Sequence, residues 1–91
     1  MMNRGDILKE AARLTSSDRQ NQYGDPHTNH QRIAELWTTY LETQIKPEQV
    51  AICMALVKIA RLMQTQSDDS FIDLAAYAAI AGEIASSRRT R

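Results

Sequence analysis

Four charged side chains in the second half of the chain have the types and spacing to bind a phosphate group. Lys58 and Arg61 are three residues apart, so they share one face of a helix. Asp69 and Asp73 are four residues apart and share a face of the next predicted helix. A short connection makes these two helices antiparallel neighbours, so we expect the four charges to meet near one end of the pair.

Two interpretations of this charged cluster stay open. In the structural one, the four charges form ion pairs, because charges within an apolar helix interface must be compensated. In the functional one, Lys58 and Arg61 hold phosphate oxygens, and the guanidinium offers a two-pronged contact. Asp69 and Asp73 would then bind Mg²⁺, a hard cation that prefers oxygen ligands, although two carboxylates alone make a weak metal site.

A second group of candidate residues surrounds a turn in the first half of the chain and consists of Tyr23, Gly24, Asp25, Pro26, His27, Asn29 and His30. In the functional interpretation, a nucleotide base or sugar stacks on Tyr23. Asn29 then binds an amide-like edge, and His30 completes this base- or sugar-binding group.

The same segment has two other interpretations. His27 and His30 have the right chemistry for a metal, but the sequence offers no third ligand nearby. In the structural interpretation the segment is a turn followed by a helix start, in which Asp25 or Asn29 is the cap and Pro26 occupies the first turn.

Length and composition describe one small neutral domain. The 91 residues suffice for one core, and 43% hydrophobic with 24% charged residues excludes a wholly disordered protein. Eleven basic residues balance eleven acidic ones, so a nucleic-acid partner is not favoured. One cysteine cannot form an internal disulfide, and no signal peptide or membrane-spanning stretch is visible.

Apolar periodicity and turn residues predict an all-α fold of four helices in a single domain. The four predicted helices and the basic tail that follows them span residues 6–16, 28–43, 47–64, 69–86 and 87–91. Asp6 is the expected N-cap of the first helix. The third helix, which Pro47 opens, is apolar nearly all round, and this indicates burial on most sides with Cys53 as a small core residue. Because little shell remains to cover the third and fourth helices, we expect a homo-oligomer.

Two blocks of sequence carry a resemblance to known proteins. The first block consists of Gln22-Tyr23-Gly24-Asp25-Pro26, Asn29 and Arg32-Ile33-Ala34-Glu35-Leu36-Trp37. The second consists of Lys46-Pro47, Met54-Ala55-Leu56-Val57-Lys58-Ile59-Ala60-Arg61-Leu62 and Asp69-Ser70-Phe71-Ile72-Asp73-Leu74-Ala75-Ala76-Tyr77-Ala78. In this order they resemble a small family of phage and prophage proteins of unassigned function. The resemblance implies a phage protein that acts in the cytoplasm of the bacterial host.

A more distant similarity concerns the last helix. Asp69 and Asp73, followed by Ala75-Ala76-Tyr77, look like the second acidic helix of the all-α nucleoside triphosphate pyrophosphatases of the MazG and dimeric dUTPase type. That resemblance implies a MazG-like helical bundle completed by oligomerisation. It also implies Mg²⁺ binding and cleavage of nucleoside triphosphates between the α and β phosphates.

The chain departs from those pyrophosphatases at their first acidic pair. The helix that carries Glu-x-x-Glu in that family carries Lys58 and Arg61 here, and Glu35 is a candidate for a further carboxylate. Holding catalytic Mg²⁺ and activating water need more carboxylates than Asp69 and Asp73 supply. The resemblance therefore implies nucleotide binding, with at most Mg-dependent pyrophosphohydrolase activity.

Two functions follow as hypotheses. In the first, the protein binds a (deoxy)nucleotide or a nucleotide signal of host defence at the charged cluster. In the second, it is an interaction protein that binds and inhibits a host protein through a helical surface. Trp37 and Tyr40 lie on the apolar stripe of the second helix, where core packing is the expected role. A Trp37 that stays exposed would favour the second function.

Overall fold

The described residues fold mainly into α-helices. The computed structural model describes residues 1–16 and 24–89, and within these ranges no strand forms. The helices are α1 (Arg4–Leu14), α2 (Pro26–Leu41), α3 (Pro47–Gln64) and α4 (Asp68–Arg89). Over residues 1–16 and 24–89 the predicted all-α class and its four helices are confirmed, whereas the MazG-like bundle and the oligomer remain predictions.

The first two helices begin two residues earlier than predicted, because their caps lie further upstream. Asn3, not Asp6, is the N-cap of α1. The Asn3 side chain accepts from the Asp6 backbone at 2.8 Å, and the Asp6 carboxylate accepts from the Asn3 backbone at 3.0 Å, a reciprocal capping box. For α2 the structural interpretation of the turn is confirmed, since Asp25 accepts from the Thr28 backbone at 3.2 Å and Pro26 is the first helical residue.

A tight connection joins α2 to α3. Helix α2 ends at Leu41, and its C-cap Glu42 has a left-handed backbone with φ 55°. The Thr38 hydroxyl then accepts from the backbone N–H of Ile45 at 2.9 Å, which folds the chain back towards the end of α2. Lys46 precedes Pro47 in extended conformation, so α3 begins where the proline predicts it.

Helices α3 and α4 form an antiparallel pair to which the others are attached. Ion pairs join the start of α3 to the end of α4 and the middle of α3 to the first half of α4, which sets the antiparallel direction. Helix α1 packs on α4 through Ala11, Ile72 and Ala76. Helix α2 packs mainly on α3 and reaches α4 through the ring of His30, which is tilted against Tyr77.

The expected burial of α3 on most sides is wrong for the single chain. Its buried residues are Glu48, Val50 and Ala51, and they lie near its first turns. The large apolar side chains that remain exposed on α3 are Ile52, Leu56, Val57, Ile59 and Met63. Cys53, expected in the core, is exposed as well. The physical reason is that α4 and α2 cover only part of the α3 surface. Helix α1 packs on α4 and does not cover the rest.

None of the helices in the described part of the chain is both long and apolar enough to cross a membrane.

Candidate functional site

Lys58 and Asp73 are the two members of the charged cluster that meet. The Lys58 ammonium lies 3.1 Å from an Asp73 carboxylate oxygen, across the interface between α3 and α4. The Lys58 side chain is 12% exposed and that of Asp73 is 34% exposed. Compensation of a sheltered charge by its opposite is what the structural interpretation predicts for this pair.

Arg61 and Asp69, the other two members, point to solvent instead. Both are exposed, and no ion pair joins either of them to a partner among residues 1–16 and 24–89. Asp69 lies in the first turn of α4, where the positive end of the helix stabilises a carboxylate. The structure therefore brings together Lys58 and Asp73, whereas Arg61 and Asp69 are exposed and join no ion pair with the described residues.

The start of α4 has one of its backbone donors capped by a side chain. The backbone N–H of Ser70 donates to the Ser67 hydroxyl at 3.2 Å, which satisfies one of the free donors of the first turn.

The carboxylates of this cluster fit Mg²⁺ poorly. One of the two Asp73 carboxylate oxygens already accepts from Lys58. Asp69 and Asp73 alone would supply two carboxylates, and nowhere in the described ranges do three or more His, Cys, Asp or Glu side chains come close enough to hold a metal ion. No step that depends on Mg²⁺ is therefore derived for this site.

Two of the three residues of the predicted base- or sugar-binding group, Asn29 and His30, lie in the described part of the chain. His30 is buried, and its Nδ1 donates to the Pro26 carbonyl at 2.7 Å within α2. Its ring centroid lies 6.5 Å from that of Tyr77, so His30 connects α2 to α4. Asn29 is half-buried beside Gly24, whereas Tyr23 lies outside the described residues.

Two clefts lie at the opposite end of the α3–α4 pair from Asp69. The larger, of about 260 Å³, is lined by His27, Gln31, Pro47, Ile84, Ser87 and Arg88. The smaller, of about 80 Å³, also contains His27 and runs along α4 past Glu83. Neither of these two clefts, which are lined by described residues, includes a member of the charged cluster.

The ion pair between Glu48 and Arg88 is not among the contacts predicted from the sequence. The prediction of a basic tail from residue 87 is wrong for Arg88, because α4 continues to Arg89 and the Arg88 guanidinium binds both oxygens of Glu48. The Glu48–Arg88 contact follows from the register of α3 against α4. In an antiparallel pair, the alignment of Lys58 with Asp73 brings the start of α3 opposite the last turns of α4.

Comparison with known proteins identifies phage relatives. A family model described as a domain of unknown function (DUF6378) matches residues 6–85. The chain is 41% identical over 76 residues to the Gene 55 protein of Mycobacterium phage L5, a match that covers 81% of this chain and 49% of the relative. It is 47% identical over 73 residues to the Gene 55 protein of Mycobacterium phage D29, which covers 79% of this chain and 48% of the relative.

These matches confirm the resemblance to a phage family of unassigned function and add no support for the MazG-like similarity. The chain spans about half the length of the curated relatives it matches. No solved structure matches the chain.

Proposed function

The chain belongs to the DUF6378 family, and from that premise we propose that it is a phage-type protein that binds a (deoxy)nucleotide or a nucleotide signal at Lys58 and Arg61. The observation that carries this proposal is the Lys58–Asp73 ion pair beside a solvent-facing Arg61. An ammonium has three donors, and Asp73 accepts from one of them. Lys58 is therefore held in one orientation while keeping donors for phosphate oxygens.

Arg61 supplies the second half of the proposed phosphate contact. It follows Lys58 by three residues, so the two side chains emerge from neighbouring positions on α3. An exposed guanidinium is free to form a two-pronged contact with phosphate without first breaking another ion pair. Asp69 is an exposed carboxylate in the first turn of the next helix and would repel phosphate, so the proposed ligand contacts Arg61 rather than Asp69.

Binding rather than hydrolysis is the activity that these residues support. Hydrolysis of a triphosphate would require a metal or a general base aimed at the phosphorus. Asp73 is engaged by Lys58, and Asp69 is a single exposed carboxylate. Sequestering a nucleotide requires affinity alone, which suits such a site. Tyr23 and Asn29 remain the proposed contacts to the base or sugar, whereas His30 would support them from the core.

The test is a nucleotide panel offered to the purified chain with and without Mg²⁺. The panel contains NTPs, dNTPs and cyclic nucleotides. After ultrafiltration, the filtrate is separated by anion-exchange chromatography. We expect one class of nucleotide to disappear from the filtrate without any new product. A new monophosphate peak would show turnover and contradict binding alone, and an unchanged panel would remove the nucleotide proposal altogether.

A second candidate function is favoured by a different surface. Leu36 is 69% exposed and Tyr40 is 86% exposed, one turn apart on α2. Neighbouring apolar side chains that face water mark interaction surfaces more often than isolated ones do. Trp37 lies between them and is only partly buried. This surface supports a protein that binds a host protein. Its test is a crosslinked, identified partner that a Leu36→Glu/Tyr40→Glu variant fails to capture.

A further inference from the structure

We infer that the outward face of α3 is the contact surface between two copies of this chain. Four side chains form this outward seam: Ile52, Leu56, Ile59 and Met63. They are 49%, 56%, 43% and 85% exposed, respectively. This inference does not rest on nucleotide binding, since the seam contains no member of the charged cluster.

The spacing of the seam indicates that its occupant is a helix. Its members follow one another at intervals of four, three and four residues, which places them along one narrow stripe of α3. This is the spacing of the a and d positions in coiled coils, where each side chain inserts between side chains of a facing helix. The intramolecular partners of α3 use its other side, where Val50 and Ala51 are buried.

Charge makes a second copy of the same helix a suitable occupant. The seam has no charged member, and no charged residue lies in α3 between Glu48 and Lys58. Glu48 and Lys58 are themselves neutralised within the chain, by Arg88 and Asp73 respectively. Arg61, the remaining charged residue of α3, is two positions from both Ile59 and Met63 and therefore lies on the opposite side of the helix from them. Two copies can therefore meet through this seam about a two-fold axis without bringing like charges together, as an interface of identical surfaces requires.

The small core of the single chain points in the same direction. The buried hydrophobic residues of the described part are mostly alanines, and Val50 is the largest of their fully buried side chains. The bulky apolar side chains of α3 are left on the outside. Pairing through the seam would remove them from water, which is the main driving force for association.

The experiment measures mass in solution by sedimentation velocity over a range of protein concentrations. Each chain has a mass of 10.3 kDa, so we expect a species of twice that mass for the purified protein. A Leu56→Glu/Ile59→Glu variant should sediment as a single chain, because four carboxylates would meet in the pair. The matched control is Leu36→Glu/Tyr40→Glu on α2, which should retain the doubled mass.

Folding is controlled separately. Circular dichroism should give the same helix content for each variant, because the substituted side chains face solvent in the single chain. If the double variant loses helix, Met63→Glu is used instead, since an 85% exposed side chain contributes little to the fold. Alkylation of the exposed Cys53, next to Ile52, should slow as protein concentration rises. A wild-type chain that stays monomeric, or a seam variant that still pairs, would overturn the inference.

Ultrafiltration with nucleotides keeps the two proposals apart. The monomeric seam variant should retain any nucleotide binding, because Lys58 and Arg61 are unchanged in it. Failure of pairing with nucleotide binding intact would therefore count against the seam only.

Discussion

Glu48 in the first turn of α3 and Arg88 in the last turn of α4 form a two-pronged ion pair across the antiparallel helix pair. Nη1 of Arg88 donates to Oε1 of Glu48 at 2.7 Å, and Nη2 donates to Oε2. The Glu48 side chain is 10% exposed, whereas that of Arg88 is 48% exposed. A carboxylate so sheltered depends on the guanidinium, with a further contribution from the positive end of α3. The pair therefore fastens the last turn of α4 to the start of α3.

The first prediction concerns this pair. We expect Arg88→Ala to lower the free energy of unfolding by about 2 kcal/mol, because Glu48 would keep its burial and lose its charged partner. Urea unfolding followed by circular dichroism measures the change. Glu48→Gln in the Arg88→Ala background should restore part of the loss, since a neutral amide costs less to bury than an unpaired carboxylate.

The control for the first prediction is Arg13→Ala. Arg13 also makes a two-pronged contact, with Glu10, but both side chains are well exposed on α1. Exposed pairs contribute little to stability, so this variant should unfold close to the wild type. Equal stability of Arg88→Ala and Arg13→Ala would mean that the Glu48–Arg88 contact is not maintained in solution.

The second prediction is a pH dependence centred on Glu10. The side-chain hydrogen bonds from Arg13, aided by its positive charge, lower the pKa of the Glu10 carboxyl below its ordinary value. A carboxyl with a lowered pKa in the folded state adds stability above its unfolded pKa, and this contribution is lost as pH falls through the folded pKa. NMR titration of the Glu10 side chain should give a pKa that rises towards the ordinary value in Arg13→Ala.

The difference in unfolding free energy between the wild type and Glu10→Gln should depend on pH in the same direction as this contribution of Glu10. It should be present near neutral pH and fade as the solution is acidified through the pKa of Glu10. Because both groups face solvent, added salt should shrink it. A difference that grows on acidification would contradict the assigned cause.

The third prediction separates the two interpretations of the charged cluster. Arg61 is exposed and makes no ion pair with any described residue, so Arg61→Ala should leave the unfolding free energy almost unchanged. If Arg61 contacts phosphate, the same variant should weaken nucleotide binding by about tenfold or more, since a charged hydrogen bond contributes roughly 1.5–3 kcal/mol. Isothermal titration calorimetry measures both affinity and stoichiometry.

Arg32→Ala is the matched control for that measurement. It removes one exposed positive charge from α2 and leaves α3 intact. Lys58→Met complements it, because methionine keeps the aliphatic stem of Lys58 while removing the ammonium. Equal affinities for Arg61→Ala and Arg32→Ala would exclude the proposed phosphate contact.

The sequence predicted the helices well because their signals are local. Pro47 is the first residue of α3. Asp25 is the N-cap of α2, and Pro26 is its first residue. The error at α1 has a simple cause, since Asn3 and Asp6 both suit an N-cap and their reciprocal hydrogen bonds make Asn3 the cap. An N-cap depends on hydrogen bonds between residues only a few positions apart, so helix starts can be predicted from the local sequence.

The site was harder to predict because it depends on helix rotation and register. Lys58 and Asp73 meet as the antiparallel arrangement requires, but Arg61 lies one turn further on and faces solvent. The sequence of α3 shows that the helix is apolar nearly all round. It does not show which side of α3 the other helices leave exposed to solvent. Leu56 illustrates this, because its hydrophobicity indicates burial and its position on α3 leaves it exposed.

The last prediction uses one substitution at two glycines. Gly24, just before the Asp25 cap, has φ +90°, and a Cβ there would lie 3.3 Å from Nδ2 of Asn29. Gly24→Ala should therefore lower the unfolding free energy by about 1–3 kcal/mol, because a side chain strains that backbone.

Gly82 lies within α4, and a Cβ there would meet nothing within 4 Å. Gly82→Ala should raise stability by roughly 0.5–1 kcal/mol, since alanine favours helix. Thermal unfolding of both variants checks the opposite signs, and equal effects would contradict the assigned turn geometry at Gly24.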